Sequence, residues 1–202
     1  MNSKNKDITI YCNYGKFETF IIDVDNIGLQ PTTMRNCVNI VRKLAKGQEL
    51  FFGFYRIDGY NMNADEIKYY NDTIPLYLKE KGRYKEVINE INYKHKNKKI
   101  NVFQWAASLP INNETFNFLP NLFNFYLETN LFCPKISWDK FIEIYKNYLQ
   151  HGCSDFILNN YTDFLFTYYD SGDFSVSFNP DKYNKDDIIK IVKETVYEYN
   201  EN

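Results

Sequence analysis

The chain has 202 residues, a formal net charge of −2, 44% hydrophobic residues and 25% charged residues. These values are typical of a globular domain, and the near-neutral charge does not favour a nucleic-acid partner. No apolar stretch approaches the roughly eighteen residues of a membrane span, which excludes an integral membrane protein. We therefore expect one domain over residues 1–202, with no membrane partner and no need of a disulfide or metal to hold its core.

The composition is biased towards residues with AT-rich codons, with 26 Asn, 20 Lys, 18 Tyr and 17 Phe. This bias indicates an AT-rich genome, such as that of a low-GC bacterium, its phage or a plasmid. Tyrosine combines a large apolar face with a polar tip and loses little entropy on binding, so exposed tyrosines would suit a protein interface.

Four cysteines occur at positions 12, 37, 133 and 153, without a CxxC pair or another metal-ligand spacing. The first twelve residues contain no apolar run of signal-peptide length. We therefore expect a cytoplasmic protein with reduced, mostly buried thiols, and no cofactor.

The first 60 residues predict a hairpin, a helix and a strand. Apolar residues alternate over 7–24 around a turn that contains Gly15. A helix then begins near Pro31 and ends at Gly47. The aromatic run Glu49–Ile57 predicts a strand that ends in an Asp-Gly turn.

The middle of the chain is more polar. We predict a short helix over Ala64–Tyr70, a second that begins near Pro75 and ends at Gly82, and a third with Tyr84, Val87, Ile88 and Ile91 along one face. The tract 94–99 has four lysines in six residues, which would suit a contact with phosphate, but a run this short predicts a solvated loop. Residues 100–109 predict a buried strand closed by Pro110.

The last 80 residues predict three helices and two strands. One helix follows Pro120 over 121–129, and an amphipathic helix capped by Ser137 ends at Gly152. Strands over 162–169 and 174–178 flank a turn, and a helix over 185–199 closes the chain. Since hairpins outnumber βαβ units, we expect an α+β fold: a mainly antiparallel sheet of about five to seven strands with helices packed on one face.

Two acidic segments are the candidate site. Asp23 and Asp25 follow the apolar residues 20–22, and Asp170 and Asp173 lie in the turn before Phe174. The first segment resembles the opening motif of the PIN/NYN nuclease superfamily and, more loosely, that of haloacid-dehalogenase-type phosphatases. The second resembles the later Ser-Gly-Asp-x-Asp-Phe segment of NYN domains, although one acid of that motif is missing here. The resemblance implies a site in which carboxylates hold Mg²⁺ and strands that run parallel.

Histidine offers little for catalysis. His95 lies in the lysine tract, and His151 is predicted at a helix C-terminus, where an imidazolium complements the helix dipole. The neighbouring Cys153 suggests a Cys/His pair, but no third orienting group can be assigned from the sequence. The chain contains no GxSxG, HExxH, P-loop or GxGxxG pattern, so the sequence favours a non-enzyme.

Charge is distributed unevenly. From His151 onwards there are ten acidic residues and four lysines, whereas the preceding residues include sixteen acidic and twenty basic residues. We therefore expect a protein-binding inhibitor, of the immunity type, whose acidic surface with Asp23, Asp25, Asp170 and Asp173 captures a basic toxin or enzyme. A metal-dependent nuclease or phosphatase that uses Asp23 and Asp25 is the alternative. Self-association as a homodimer through exposed aromatic residues is a third hypothesis.

Overall fold

The computed structural model describes residues 8–14, 17–22, 31–57, 63–88, 93–95, 98–100, 102–123, 128–145, 162–169 and 174–197. The strands are β1 Ile8–Tyr14, β2 Phe17–Ile22, β3 Glu49–Ile57, β4 Arg83–Ile88, β5 Tyr93–His95, β6 Lys98–Ile100, β7 Val102–Pro110, β8 Glu128–Phe132, β9 Phe164–Tyr169 and β10 Phe174–Phe178. The helices are α1 Pro31–Leu44, α2 Ala64–Lys68, a π-helix over Tyr69–Thr73, α3 Ile74–Lys81, α4 Asn113–Phe123, α5 Trp138–Tyr145 and α6 Lys185–Tyr197. None of these described helices combines the length and the apolar character needed to cross a membrane.

Eight of the described strands form one sheet in the order β1-β2-β10-β9-β8-β3-β7-β4, while β5 and β6 pair separately. Every strand pair that the structure describes is antiparallel. The predicted α+β class with a mainly antiparallel sheet is thus confirmed. The hairpin of β1 and β2 is joined to the rest of the sheet through β2, which pairs with β10 from a distant part of the chain.

One sheet face, here called face 1, carries most of the apolar core. Its strands contribute large side chains that are almost fully buried, among them Phe52, Phe166 and Val176. Helices α1, α3, α4 and α6 cover this face, and α1 lies against both α4 and α6. Burial of an aromatic or large aliphatic side chain stabilises a fold by about 1.5–3 kcal/mol, so this layer holds the sheet together.

The opposite face, face 2, is covered in part by α5. Phe141 and Tyr145 of this helix pack with Phe51, Phe132 and other buried residues of face 2. The prediction that helices pack on one face therefore describes four of the helices, and α5 adds a layer on the other side. Ser137 caps α5 as predicted, since the backbone N–H of Lys140 donates to its hydroxyl over 3.3 Å.

The third helix predicted in the middle of the chain is wrong, because residues 83–88 form strand β4. Tyr84, Val87 and Ile88 match a helical spacing, but β4 pairs with β7, for example Arg83 with Ser108. Val87 packs against the residues that α5 covers. Tertiary pairing with β7 overrides the local pattern and adds an edge strand to the sheet, which brings the strand number to eight.

The helix predicted over 121–129 is also wrong. The helix begins earlier, at Asn113, and Pro120 lies inside it rather than before it. Its start is fixed by Asn112, whose side-chain oxygen accepts the backbone N–H of Thr115 over 2.8 Å. Residues 128–132 form strand β8, which pairs with β3 and β9 in the centre of the sheet.

The helical stretch before β4 contains one π-helical turn. Residues Ala64–Lys81 are continuous in helical structure, with the π-turn over Tyr69–Thr73 directly before Ile74 and Pro75. A proline has no N–H and its ring displaces the carbonyl of the preceding turn, which explains why the regular hydrogen-bond pattern is interrupted here. Gly82 ends α3 as predicted, and its N–H donates to the Leu78 carbonyl.

Candidate functional site

The candidate aspartates belong to segments that start at one end of the sheet, here called the upper end. Strand β2 finishes there at Ile22, and the antiparallel β10 starts there at Phe174. These two residues are directly paired, and Phe174 is also paired with Tyr168 near the end of β9. Paired residues in an antiparallel ladder have Cα atoms about 4.5–5.5 Å apart. The segments after β2 and between β9 and β10 therefore begin at adjacent positions.

All four predicted site residues lie outside the described residues. Asp23 and Asp25 follow Ile22, and Asp170 and Asp173 lie between β9 and β10. The described strands thus bring together the two ends of chain from which these residues extend. The acidic face therefore stays a prediction.

The sheet differs from the fold that the PIN/NYN resemblance implies. Those folds place their acidic residues at the ends of parallel strands, whereas β2 runs antiparallel to both β1 and β10. In a parallel sheet the carboxyl ends of neighbouring strands meet at one edge. Here the carboxyl end of β2 meets the amino end of β10, so the resemblance is confined to the short motifs.

The lysine tract 94–99, predicted as a solvated loop, contains paired strands instead. Strands β5 and β6 form a two-stranded antiparallel sheet in which Lys94 is paired with Lys99 and His95 with Lys98. This pair of strands, here called the basic ribbon, connects β4 and β7. Both strands have their upper ends where the ribbon begins, β4 at Ile88 and β7 at Val102.

The acidic segments and the basic ribbon therefore leave the sheet at the same end. Three strand spacings separate β9 from β7 in the sheet order, and four separate β10 from β7. Neighbouring strands are about 4.8 Å apart, so the start of β7 lies roughly 14 Å from the end of β9 and roughly 19 Å from the start of β10 across the sheet. The upper end thus has acidic sequence on one side and basic sequence on the other.

Buried polar contacts on face 2 fix the strands that lead to the acidic segments. The hydroxyls of Thr19 on β2 and Ser177 on β10 are 2.8 Å apart and buried. Further along the sheet, the Thr167 hydroxyl donates to the Asn130 side-chain oxygen over 2.8 Å, which ties β9 to β8. Buried polar groups with partners define a register, because a slip would leave them unsatisfied.

An ion-pair cluster lies at the lower end of the sheet, where β9 begins. The carboxylate of Asp163 binds the ammonium groups of Lys135 and Lys182, the latter at 3.1 Å. Partial burial raises the pKa of the Asp163 carboxyl, but hydrogen bonds and charge from the two lysines outweigh this and hold the pKa below its usual value. The cluster connects the segment after β8, the start of β9 and the turn before α6. Its role is therefore to stabilise the fold.

A second surface cluster surrounds Arg83 at the start of β4. Its guanidinium forms an ion pair with Glu49 and lies 5.3 Å from the ring centre of Trp138. Arginine and tryptophan are frequent in protein interfaces, and Arg83 is 43% exposed. This cluster is the clearest described surface with both an aromatic ring and a charged group that a partner could contact.

The two cysteines with described side chains are free thiols with little nucleophilic character. Cys37 is fully buried, and burial raises the pKa of its thiol far above the ordinary value despite a backbone hydrogen bond. Burial also raises the pKa of Cys133, and the backbone N–H of Lys46 opposes this shift only in part. A neutral, buried thiol is a poor nucleophile. His151 and Cys153 lie outside the described residues.

Within the described ranges, no group of three or more His, Cys, Asp or Glu side chains is arranged to hold a metal ion. Sequence reasoning missed the basic ribbon as a structural element and the Arg83 cluster. The apolar residues on either side of the lysine tract could have indicated the strand pair, since Tyr93 precedes the tract, Ile100 follows it, and the two are paired in the structure. No comparable signal exists for Arg83 and Trp138, which meet only through the pairing of β4 with β7 and the position of α5.

The chain matches no family model, no curated protein and no solved structure.

Proposed function

We propose that this chain is a protein-binding inhibitor, of the immunity type, which captures a basic toxin or enzyme through acidic segments at the upper end of its sheet. The observation that supports this most directly is the pairing of Ile22 with Phe174. It gives the segments with Asp23 and Asp25 and with Asp170 and Asp173 a common starting point on a rigid sheet. Segments that extend from a rigid scaffold are frequent sites of binding.

The chemistry of these segments suits a basic partner. Four carboxylates within two short segments create a negative potential that speeds the approach of a positively charged protein. Strands β2 and β10 are joined by their backbone pairing and by the buried contact between Thr19 and Ser177, and a fixed anchor for the two segments limits the entropy lost on binding. Free thiols at Cys37 and Cys133 are in keeping with the cytoplasmic location that we propose.

The test is capture of the partner from the organism that encodes the chain, with a charge-neutral site variant as comparison. Asp23→Asn, Asp25→Asn, Asp170→Asn and Asp173→Asn are combined in one variant. A matched control replaces four exposed aspartates elsewhere, namely Asp65, Asp72, Asp181 and Asp187. We expect the wild type and the control to retain one basic protein that the site variant loses, and the wild type to inhibit that protein's activity. Equal capture by both variants, or a captured enzyme that stays fully active, would contradict the proposal.

The same pairing of Ile22 with Phe174 also suits the alternative, a metal-dependent nuclease or phosphatase with Asp23 and Asp25 as ligands. Carboxylate oxygens are the ligands that Mg²⁺ prefers. Calorimetric titration with Mg²⁺ and Mn²⁺ separates the two proposals. Binding that Asp23→Asn abolishes, without loss of thermal stability, supports the enzyme, whereas absence of binding eliminates it and leaves the inhibitor.

A further inference from the structure

The exposed side of helix α1 carries positive charge without negative charge. Residues 31–48, which comprise α1 and the residues up to β3, include four basic residues and no Asp or Glu, although the whole chain has a charge of −2. The four basic side chains are exposed, whereas the other side of α1 is buried in the core of face 1. They are Arg35, Arg42, Lys43 and Lys46, here called the α1 basic surface.

Aromatic rings hold two of these cations in place. The guanidinium carbon of Arg42 lies 5.1 Å from the ring centre of Phe116 on α4, and the ammonium nitrogen of Lys46 lies 5.7 Å from that of Tyr183, just before α6. Neither Arg42 nor Lys46 forms an ion pair with a residue that the structure describes. A ring attracts a cation without neutralising it, so both charges remain available to an anionic partner.

We infer that the α1 basic surface binds the phosphate backbones of double-stranded DNA across the minor groove. This inference is independent of the proposed inhibitor function, because it uses none of the residues of the acidic segments.

The chemistry of the surface favours phosphate over an acidic protein. Centres of protein interfaces are rich in aromatic residues and poor in lysine. The apolar residues of α1 with described side chains are buried or half-buried, so α1 presents little apolar area to a protein. Basic side chains that neutralise phosphates instead release condensed counterions, which drives binding without any apolar contact.

The aromatic rings favour a duplex over a single strand. Proteins that bind single strands stack the bases on exposed aromatic side chains. Phe116 is only 5% exposed and has Arg42 over its ring, and Tyr183 is half-buried with Lys46 over its ring. These rings therefore orient cations and are not platforms for bases.

The shape of the surface favours B-form DNA over an RNA duplex. Because α1 lies against both α4 and α6, it contacts a duplex from outside and does not enter a groove. The minor groove of B-form DNA is about 6 Å wide, so one surface can reach phosphates of both strands. From Arg35 to Lys46 a helix rises about 16 Å, which is enough to bridge that groove. The minor groove of A-form RNA is wide, which separates the two backbones.

The test measures the fluorescence anisotropy of a labelled DNA duplex of about 30 base pairs and arbitrary sequence, at about 50 mM salt and above. We expect the wild type to bind, with an affinity that falls steeply as salt rises. Arg42→Gln with Lys46→Gln should weaken binding at least about tenfold and reduce the steepness of log K against log salt by roughly 2. The matched control is Lys85→Gln with Lys140→Gln, two exposed lysines of β4 and α5, which should retain wild-type affinity.

A charge-preserving variant distinguishes lost charge from lost structure. Arg42→Lys with Lys46→Arg keeps both positive charges and should bind DNA with nearly wild-type affinity. Thermal unfolding of all variants shows whether each is folded at the temperature of the titration. Failure of the wild type to bind DNA, equal losses in the site and control variants, or an equal loss in the charge-preserving variant overturns the inference. Binding of an RNA duplex or of polyglutamate as tight as that of DNA also overturns it, because any polyanion would then suffice.

Discussion

The phenol ring of Tyr145 on α5 lies directly over Gly53 in the middle of β3, so close that no β-carbon fits between them. Gly53 is the one small residue in the aromatic run of β3, and it lies at the point where α5 approaches face 2. Tyr145 is part of the core around Phe51 and Phe141. This contact sets the distance between α5 and the sheet, and it leads to the first prediction.

Gly53→Ala should lower the free energy of unfolding by about 1–3 kcal/mol, because the new methyl group must displace the Tyr145 ring. In an ordinary strand the same change would be neutral or favourable, since glycine weakens strands. Urea unfolding followed by circular dichroism measures the effect. In a Tyr145→Ala background the same substitution should be much less harmful, and an undiminished loss there would show that Tyr145 is not the obstacle.

Thr19 and Ser177 provide the second prediction. Replacing either one, as Thr19→Val or Ser177→Ala, leaves a buried hydroxyl without its partner and should lower the free energy of unfolding by about 1–3 kcal/mol. The double variant should lose clearly less than the sum of the two single losses, because neither hydroxyl then remains to be satisfied. Strict additivity in this double-mutant cycle would mean that the two hydroxyls contribute independently.

Asp163 gives the third prediction, on pH. Its pKa in the folded state is lower than the value of about 3.9 expected in the unfolded chain. The stabilisation by its two lysine contacts is therefore present in full above that unfolded value and is lost as the pH falls through the folded value. At pH 7, Asp163→Asn should destabilise the protein by about 1 kcal/mol, and this difference should shrink below about pH 4.

Unfolding titrations at pH 7, 5 and 3.5 measure that difference. Asp181→Asn is the matched control, since Asp181 is an exposed aspartate in the neighbouring turn. A difference between wild type and Asp163→Asn that stays constant over this pH range would show that the carboxylate does not act through its ion pairs.

The fourth prediction concerns thiol reactivity. In a Cys12→Ser, Cys153→Ser background, Cys37 should react with a disulfide reagent at pH 8 only when the protein unfolds, because it is 1% exposed and its pKa is raised. Cys133 is only partly buried and should react first, yet more slowly than a free thiol. Time-resolved absorbance in native buffer and in urea gives both rates. Equal and rapid reaction of both thiols would be incompatible with the described burial.

Sequence patterns were reliable where one strand or helix carries its own signal. The strand Glu49–Ile57 and the strand Phe174–Phe178 occur as predicted, because dense aromatic and β-branched residues leave few other options. Prediction from the sequence failed where pairing with a distant strand determines the secondary structure. Residues 83–88 match a helix locally, and only their pairing with β7 makes them a strand.

The candidate site shows the same division. That aspartate-containing segments follow two strands could be predicted, but that Ile22 and Phe174 are paired across some 150 residues could not. The basic ribbon was misjudged because a run of lysines carries no apolar periodicity. Its pairing is visible only as the match of Tyr93 with Ile100 around it.

The position of β2 between β1 and β10 has a consequence for how the protein is made. The hairpin of β1 and β2 is synthesised well before β10, the strand that it joins, because Thr19 and its partner Ser177 are 158 residues apart. Until then the inner edge of the hairpin is an open template for other strands. Such distant contacts form slowly, and the sheet closes only once β10 has been synthesised. A chain truncated before Phe174 would therefore also lose the docking of its own first strands.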